Sequence, residues 1–231
     1  MSSFLRNIPN ILTVSRIILA PIFFILFIYN YYYLALILFF FASVTDFLDG
    51  FLARKFNIIS KFGKMYDPLA DKILVFLGWL CFIIKPPYII IDDKFNSTYS
   101  ISIILSNYTN INPNYIIFSI LVILLLRDLI VTTLREEKYK KESIILKTNY
   151  IGKIKTTVFI ICIHLYLIYQ LIPIEYLVNN NINISLSFFE SLLFYLNTYI
   201  FWIYDFTLYL TLVLSLLSLY DYIYQYKDKK I

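Results

Sequence analysis

The sequence predicts an all-α fold: a polytopic membrane protein of six transmembrane helices with a short N-terminal interfacial helix, forming a single domain over residues 1–231. Three observations lead there. Of the 231 residues, 60% are apolar and only 15% charged, too apolar for a soluble domain of this length. The apolar residues fall into long runs separated by short polar segments, as in helices that cross a bilayer. The basic residues cluster in alternate connections, as a fixed membrane orientation requires.

The elements follow in order. Asn7-Ile8-Pro9-Asn10-Ile11-Leu12-Thr13 reads as the start of the interfacial helix, with Pro9 suited to a first turn. A first span runs from about Ile17 to Ile28, and Asn30 with Tyr31-Tyr32-Tyr33 forms a turn and an aromatic belt. The second span, Leu34 to Phe51, leads into a basic loop carrying Arg54, Lys55, Lys61 and Lys64. The third runs from near Pro68 to Ile84 and is stopped by Lys85-Pro86-Pro87. A polar stretch extends to Asn114, then a fourth span from Tyr115 to Leu134 and a basic loop from Arg135 to Lys147. The fifth covers Ile154 to Ile172, before Pro173. Glu190 and Asp205 interrupt the last apolar stretch, so Ser185–Leu196 is read as an interfacial helix and Ile203–Tyr224 as the sixth span. The outer segments 86–114 and 173–197 are long.

Under six spans, of 20 Lys and Arg only Lys85 and Lys94 face the outer side. Both termini and the other basic residues then lie on the cytoplasmic or matrix side of a bacterial inner membrane or an organellar inner membrane. Cys81 and Cys162 lie inside apolar runs and suggest neither a disulfide framework nor a metal site. His164, alone in an apolar span, reads as a packed histidine rather than a ligand. The 22 Tyr and 21 Phe accompany abundant Ile, Asn and Lys, a compositional skew that removes their weight as stacking sites. Nothing points to nucleic acid.

The chemistry concentrates in residues 46–71: Asp46-x-x-Asp49-Gly50-x-x-Ala53-Arg54, then Gly63-x-x-x-Asp67-x-x-x-Asp71. Residues three and four apart share a helix face. Asp46 and Asp49 therefore point one way from one helix, and Asp67 and Asp71 one way from the next. Antiparallel packing brings four acids together at the membrane boundary. Carboxylates that close do not all stay ionised without positive charge among them. A pair of hard divalent cations supplies it, taking oxygen ligands shared with substrate phosphates. The plainer reading is two membrane helices with stray acids, but intramembrane acids are costly and usually functional. Gly50 and Ala53, on the Asp46/Asp49 side, suit either close approach of a nucleotide or close helix packing. Arg54 either meets a phosphate or snorkels to the interface. Gly63 is expected to allow the turn between the two acid pairs.

This spacing resembles the signature of the CDP-alcohol phosphatidyltransferases, integral membrane enzymes that move a phosphatidyl group from a CDP-linked lipid to an alcohol. The resemblance implies a two-metal site of Mg²⁺ or Mn²⁺ held by Asp46, Asp49, Asp67 and Asp71. It implies CDP-lipid contacts from Asp46, Asp49, Gly50, Ala53, Arg54, Gly63 and Asp67. The alcohol needs a base; the residues alone do not choose between Asp67 and Asp71, and the resemblance assigns the role to Asp71. It also implies a homodimer.

A second constellation concerns the acceptor. Arg127 lies well inside the fourth span, and Arg135 is eight residues on, about two turns along the same face. An arginine at that depth needs an anion, either a substrate phosphate or the adjacent Asp128. Gly152-Lys153-Ile154-Lys155-Thr156 opens the fifth span. Two arginines with Lys153 suit a phosphorylated acceptor, whereas lysines at a cytoplasmic helix end, Lys155 among them, also serve as plain anchors. The segments Asn7–Thr13, Asp46–Lys72, Arg127-Asp128-Leu129-x-x-Thr132-x-x-Arg135 and Gly152–Thr156 together resemble the members of that family that take glycerol 3-phosphate, with Asp128 where a Glu commonly stands. The implied substrates are CDP-diacylglycerol and glycerol 3-phosphate. Rival readings are another acceptor (inositol phosphate, serine or phosphatidylglycerol), an acid-lined cation channel or carrier, and an inactive structural subunit.

Overall fold

The computed structural model describes the backbone of residues 3–56, 61–85, 101–142, 149–172 and 188–227. Within these it describes the side chains of 11–45, 70, 72–85, 101–138, 149–172, 192–193 and 195–226. All regular structure among the described residues is helical: α1 (Ser3–Ile28), α2 (Tyr32–Phe56), α3 (Lys61–Ile84), α4 (Ile101–Thr109), α5 (Pro113–Glu142), α6 (Tyr150–Leu171) and α7 (Phe188–Lys227). Four helices are long and apolar enough to cross a membrane, over Ile11–Ile28, Pro113–Lys138, Tyr150–Leu171 and Tyr195–Tyr226. The apolar parts of α2 and α3, Tyr32–Thr45 and Lys72–Ile84, are shorter. The chain forms two compact units, one of Met1–Pro87 with Tyr166–Tyr176, the other of Tyr88–Leu165 with Leu177–Ile231.

In the first unit, α1 packs against α2 and α3, which also touch each other. The contact face of α1 is a stripe at three- and four-residue spacing: Thr13, Arg16, Ala20, Phe23 and Phe27 are all buried. Phe23 meets Phe39 of α2 with ring centroids 5.1 Å apart. The expected break between an interfacial helix and the first span is absent. One 26-residue helix covers both and takes Pro21 into its interior. The turn expected at Asn30 is present. Asn30 takes φ 64°; its N–H donates to Phe27 O (3.0 Å) and the N–H of Tyr31 donates to Leu26 O (2.9 Å). That is a Schellman ending with Asn in the left-handed position. Helix α3 begins at Lys61, earlier than expected, and takes in Pro68. Gly63 therefore stands inside the helix rather than in a turn. Tyr166 lies against Phe82 (centroids 4.3 Å apart), and its hydroxyl donates to Cys81 O (3.1 Å) and to Lys85 O.

In the second unit, α5 packs along α7, and α4 touches both. Helix α4 was read as irregular polar chain; it is a nine-residue helix ended by Asn110 at φ 56°. Asn112 caps α5: its Oδ1 accepts the N–H of Asn114 at 2.9 Å, with Pro113 at the first helical position. The expected basic loop from Arg135 does not begin there. Helix α5 runs on to Glu142, since Arg-Glu-Glu-Lys-Tyr-Lys-Lys-Glu contains neither Gly nor Pro and mostly good helix formers. Helix α6 starts at Tyr150, capped by Asn149, whose Oδ1 accepts the N–H of Ile151 at 3.1 Å. The separate interfacial helix and sixth span expected at 185–224 are instead a single 40-residue helix, α7. Asp205, taken as an interruption, is fully buried. Its carboxylate accepts Ser102 Oγ and the Ser102 N–H (3.1 Å) at the start of α4, so the acid is paired and the helix need not end there.

Candidate active site

The side chains of Asp46, Asp49, Gly50, Ala53, Arg54, Gly63, Asp67 and Asp71 lie outside the described residues; their places on the helices do not. On α2, Ala35, Phe39 and Ala42 are each 0% exposed. By three- and four-residue steps, positions 46, 49 and 53 continue that stripe. On α3, Ala70, Leu74 and Cys81 are buried, and positions 67 and 71 fall on the same face. Positions 46, 49, 67 and 71 thus continue, by helical spacing, the buried stripes of two helices that touch. The α1–α2 hairpin adds one more group. Arg16 lies 14 residues before Asn30 and Asp46 lies 16 after it, so both stand about 21–24 Å from the turn at the helical rise. Arg16 is fully buried. A buried cation at this distance from the turn was not anticipated from the sequence; its place on the α1 stripe was the available signal.

Asp46, Asp49, Asp67 and Asp71 offer oxygen donors only, a chemistry that suits Mg²⁺ or Mn²⁺ better than softer metals. No cluster of metal-ligating side chains occurs elsewhere among the described residues.

The basic constellation belongs to the second unit. Arg127 is buried at 7% exposure. It donates from Nε to Ser215 O (3.2 Å), from one terminal nitrogen to Asp128 Oδ1 (2.8 Å) and from the other to Ser218 Oγ (2.6 Å). Three of its five N–H groups therefore serve the protein. Asp128 also takes the buried Lys155, whose Nζ lies 2.8 Å from each carboxylate oxygen. Asp128 is thus the structural partner of Arg127, and Lys155 is an internal ion-pair lysine. Lys153 is exposed. Arg135, half-buried, donates to the Tyr222 hydroxyl, while its buried Nε meets no acceptor among the described residues. The expected shared face of Arg127 and Arg135 is present: the ring of Tyr222 lies 5.8 Å from the first guanidinium carbon and 4.8 Å from the second.

Sequence reasoning overlooked the α7 side of this cluster. Thr211, Ser215, Ser218 and Tyr222 are all buried at four- and three-residue steps. A polar stripe on an otherwise apolar helix was the signal that pointed to it.

The family model for CDP-alcohol phosphatidyltransferases matches residues 6–203, which take in the four aspartates and the α5 and α6 part of the basic cluster. The chain belongs to this family. Among curated relatives, the CDP-diacylglycerol–glycerol-3-phosphate 3-phosphatidyltransferase of Rickettsia typhi is 49% identical over 74 residues, 31% of this chain and 42% of that protein. Proteins of the same name from Cereibacter sphaeroides and Wigglesworthia glossinidia brevipalpis match over longer stretches. The first is 37% identical over 65% of this chain and 58% of the relative, the second 34% identical over 66% and 71%. The match spans less than half the length of the rickettsial relatives. No solved structure matches. The CDP-alcohol phosphatidyltransferases are generally metal-dependent.

Proposed function

We propose that this protein transfers the phosphatidyl group of CDP-diacylglycerol to sn-glycerol 3-phosphate, giving phosphatidylglycerophosphate and CMP. The observation that carries this reading is the pair of acid stripes on two touching helices within a family match of residues 6–203. The printed names of the relatives support the acceptor. So does the basic cluster, where a guanidinium nitrogen of Arg135 is buried without an acceptor among the described residues, the condition that an anion relieves.

The acceptor hydroxyl attacks the phosphorus that bears the diacylglycerol. A new P–O bond forms, the bond from that phosphorus to the CMP oxygen breaks, and CMP leaves. Asp71 takes the hydroxyl proton, since an alcohol is a weak nucleophile at neutral pH. Mg²⁺ or Mn²⁺ held by Asp46, Asp49, Asp67 and Asp71 would neutralise charge on the diphosphate. Gly50, Ala53, Arg54 and Gly63 line the CDP end. Arg127, Arg135 and Lys153 receive the phosphate of the acceptor. The two arginines carry most of that task, Arg135 with the larger share of uncommitted donors. In this reading the membrane domain has six spans, with α2 and α3 completing the four longer helices. The active site and both termini face the cytoplasm or matrix, and the enzyme works as a homodimer.

The test offers purified protein CDP-diacylglycerol and Mg²⁺ with glycerol 3-phosphate, inositol phosphate, serine or phosphatidylglycerol, and reads product mass. The expected result is turnover fastest with glycerol 3-phosphate. Faster turnover of another alcohol would move the acceptor. Cation flux across vesicles with indifference to CDP-lipid would favour the carrier reading, and no CMP release with any acceptor the inactive subunit.

A further inference from the structure

We propose that Tyr222 is a positioning residue for the acceptor, setting Arg135 and the start of α6 in one fixed arrangement; this rests on the reading that Arg135 receives the acceptor phosphate. Tyr222 is 3% exposed, so it acts through its neighbours. Its hydroxyl oxygen accepts from a terminal nitrogen of Arg135 and from the Asn149 N–H at 3.3 Å. Its ring lies against both guanidinium groups, closer to Arg135. Asn149 is itself fixed twice. Its Oδ1 caps α6 and its amide nitrogen donates to Asp221 of α7. The α6 turn that follows carries Lys153. One phenol therefore joins α5, α6 and α7 where their basic residues gather.

This arrangement has a direct consequence for binding. A half-exposed arginine samples many rotamers, and a ligand that fixes it bears the entropy of doing so. Tyr222 fixes one end of the Arg135 fork in advance, while the buried Nε has no acceptor among the described residues. Phe at this position retains the ring stacked on the guanidinium groups and removes only the hydroxyl. The loss should therefore appear in acceptor affinity, with CDP-lipid affinity unchanged.

The experiment measures kcat and both KM values in the full-length protein for Tyr222→Phe, Arg135→Ala and the double variant. The expected result for Tyr222→Phe is a rise of about tenfold in KM for glycerol 3-phosphate, the scale of one hydrogen bond to a charged group. KM for CDP-diacylglycerol should stay within about twofold, and kcat within about threefold, because the bond acts on acceptor binding. In the Arg135→Ala background, Tyr222→Phe should add nothing, since its effect passes through Arg135. If Arg135→Ala raises the acceptor KM and Tyr222→Phe leaves it unchanged, the positioning role is wrong and the acceptor site stands. A full further rise in the double variant, or an equal rise in both KM values, also overturns the positioning role. If Arg135→Ala leaves the acceptor KM unchanged, or glycerol 3-phosphate is never turned over, the acceptor reading falls and Tyr222 with it.

Discussion

Asp128 carries the charge balance of the basic cluster, and neutralising it is the most informative single change. Its carboxylate accepts one bond from Arg127 and two from Lys155. Lys155 is 5% exposed and Asp128 45%. Removing the partner of a fully buried ion pair costs about 3–5 kcal/mol, because the remaining charge is left in low dielectric. Asp128 itself is nearly half solvated, so part of its charge is already screened, and the expected cost of Asp128→Asn falls to roughly 2–3 kcal/mol. For a chain of this size that lowers the melting temperature by roughly 5–10 °C. The assay is thermal unfolding of purified protein in one detergent, followed by tryptophan fluorescence. Lys155→Met should recover about half the loss or more in the Asp128→Asn background, since it removes the stranded charge and keeps the apolar stem. An Asp128→Asn melt equal to that of the parent, or no recovery in the double variant, would refute the view that Asp128 neutralises a buried lysine.

Gly152 should be intolerant of a side chain for a related reason. A Cβ there would stand 3.1 Å from Ser218 Oγ, the atom that holds Arg127. Gly152→Ala should cost about 1–3 kcal/mol as overpacking and raise the acceptor KM more than that of CDP-lipid; thermal melts and steady-state kinetics check this, and additive loss with Ser218→Ala would count against it. Ser102→Ala removes the hydroxyl donor to the buried Asp205 and should cost about 1–3 kcal/mol while leaving both KM values unchanged, because α4 lies outside the proposed site. Unaltered stability would mean that Asp205 is satisfied without the Ser102 hydroxyl.

The turn at Asn30 and the shared face of Arg127 and Arg135 were legible because each rests on short-range helical spacing. What failed was the use of charge as punctuation. The fourth span is expected to end before Arg135 and Asp205 to interrupt the last apolar stretch, yet α5 and α7 continue through them. Charge stops a helix only where it goes unpaired, and pairing is tertiary: Arg135 finds Tyr222, Lys138 donates to Tyr226 O at 3.0 Å, and Asp205 finds Ser102. The same gap hid the polar stripe of α7. Its partners lie some 70–90 residues away in sequence, beyond the reach of periodicity. Lys153 and Lys155 were indistinguishable as anchors by composition, and only Asp128 separates them, by binding the second.

The central claim is that the aspartates of α2 and α3 act as one cation-holding set, and CMP release titrated with Mg²⁺ tests it most directly. The measurement compares the parent with Asp46→Asn, Asp49→Asn, Asp67→Asn and Asp71→Asn, using CDP-diacylglycerol and glycerol 3-phosphate. The account predicts no release after chelation, recovery with Mg²⁺ or Mn²⁺, and a loss of at least about 10³-fold for Asp71→Asn, the scale of removing a general base. The other three should need more cation for the activity they retain. Undiminished release without divalent cation, or substitutions on one helix that leave both rate and cation requirement unchanged, would contradict it.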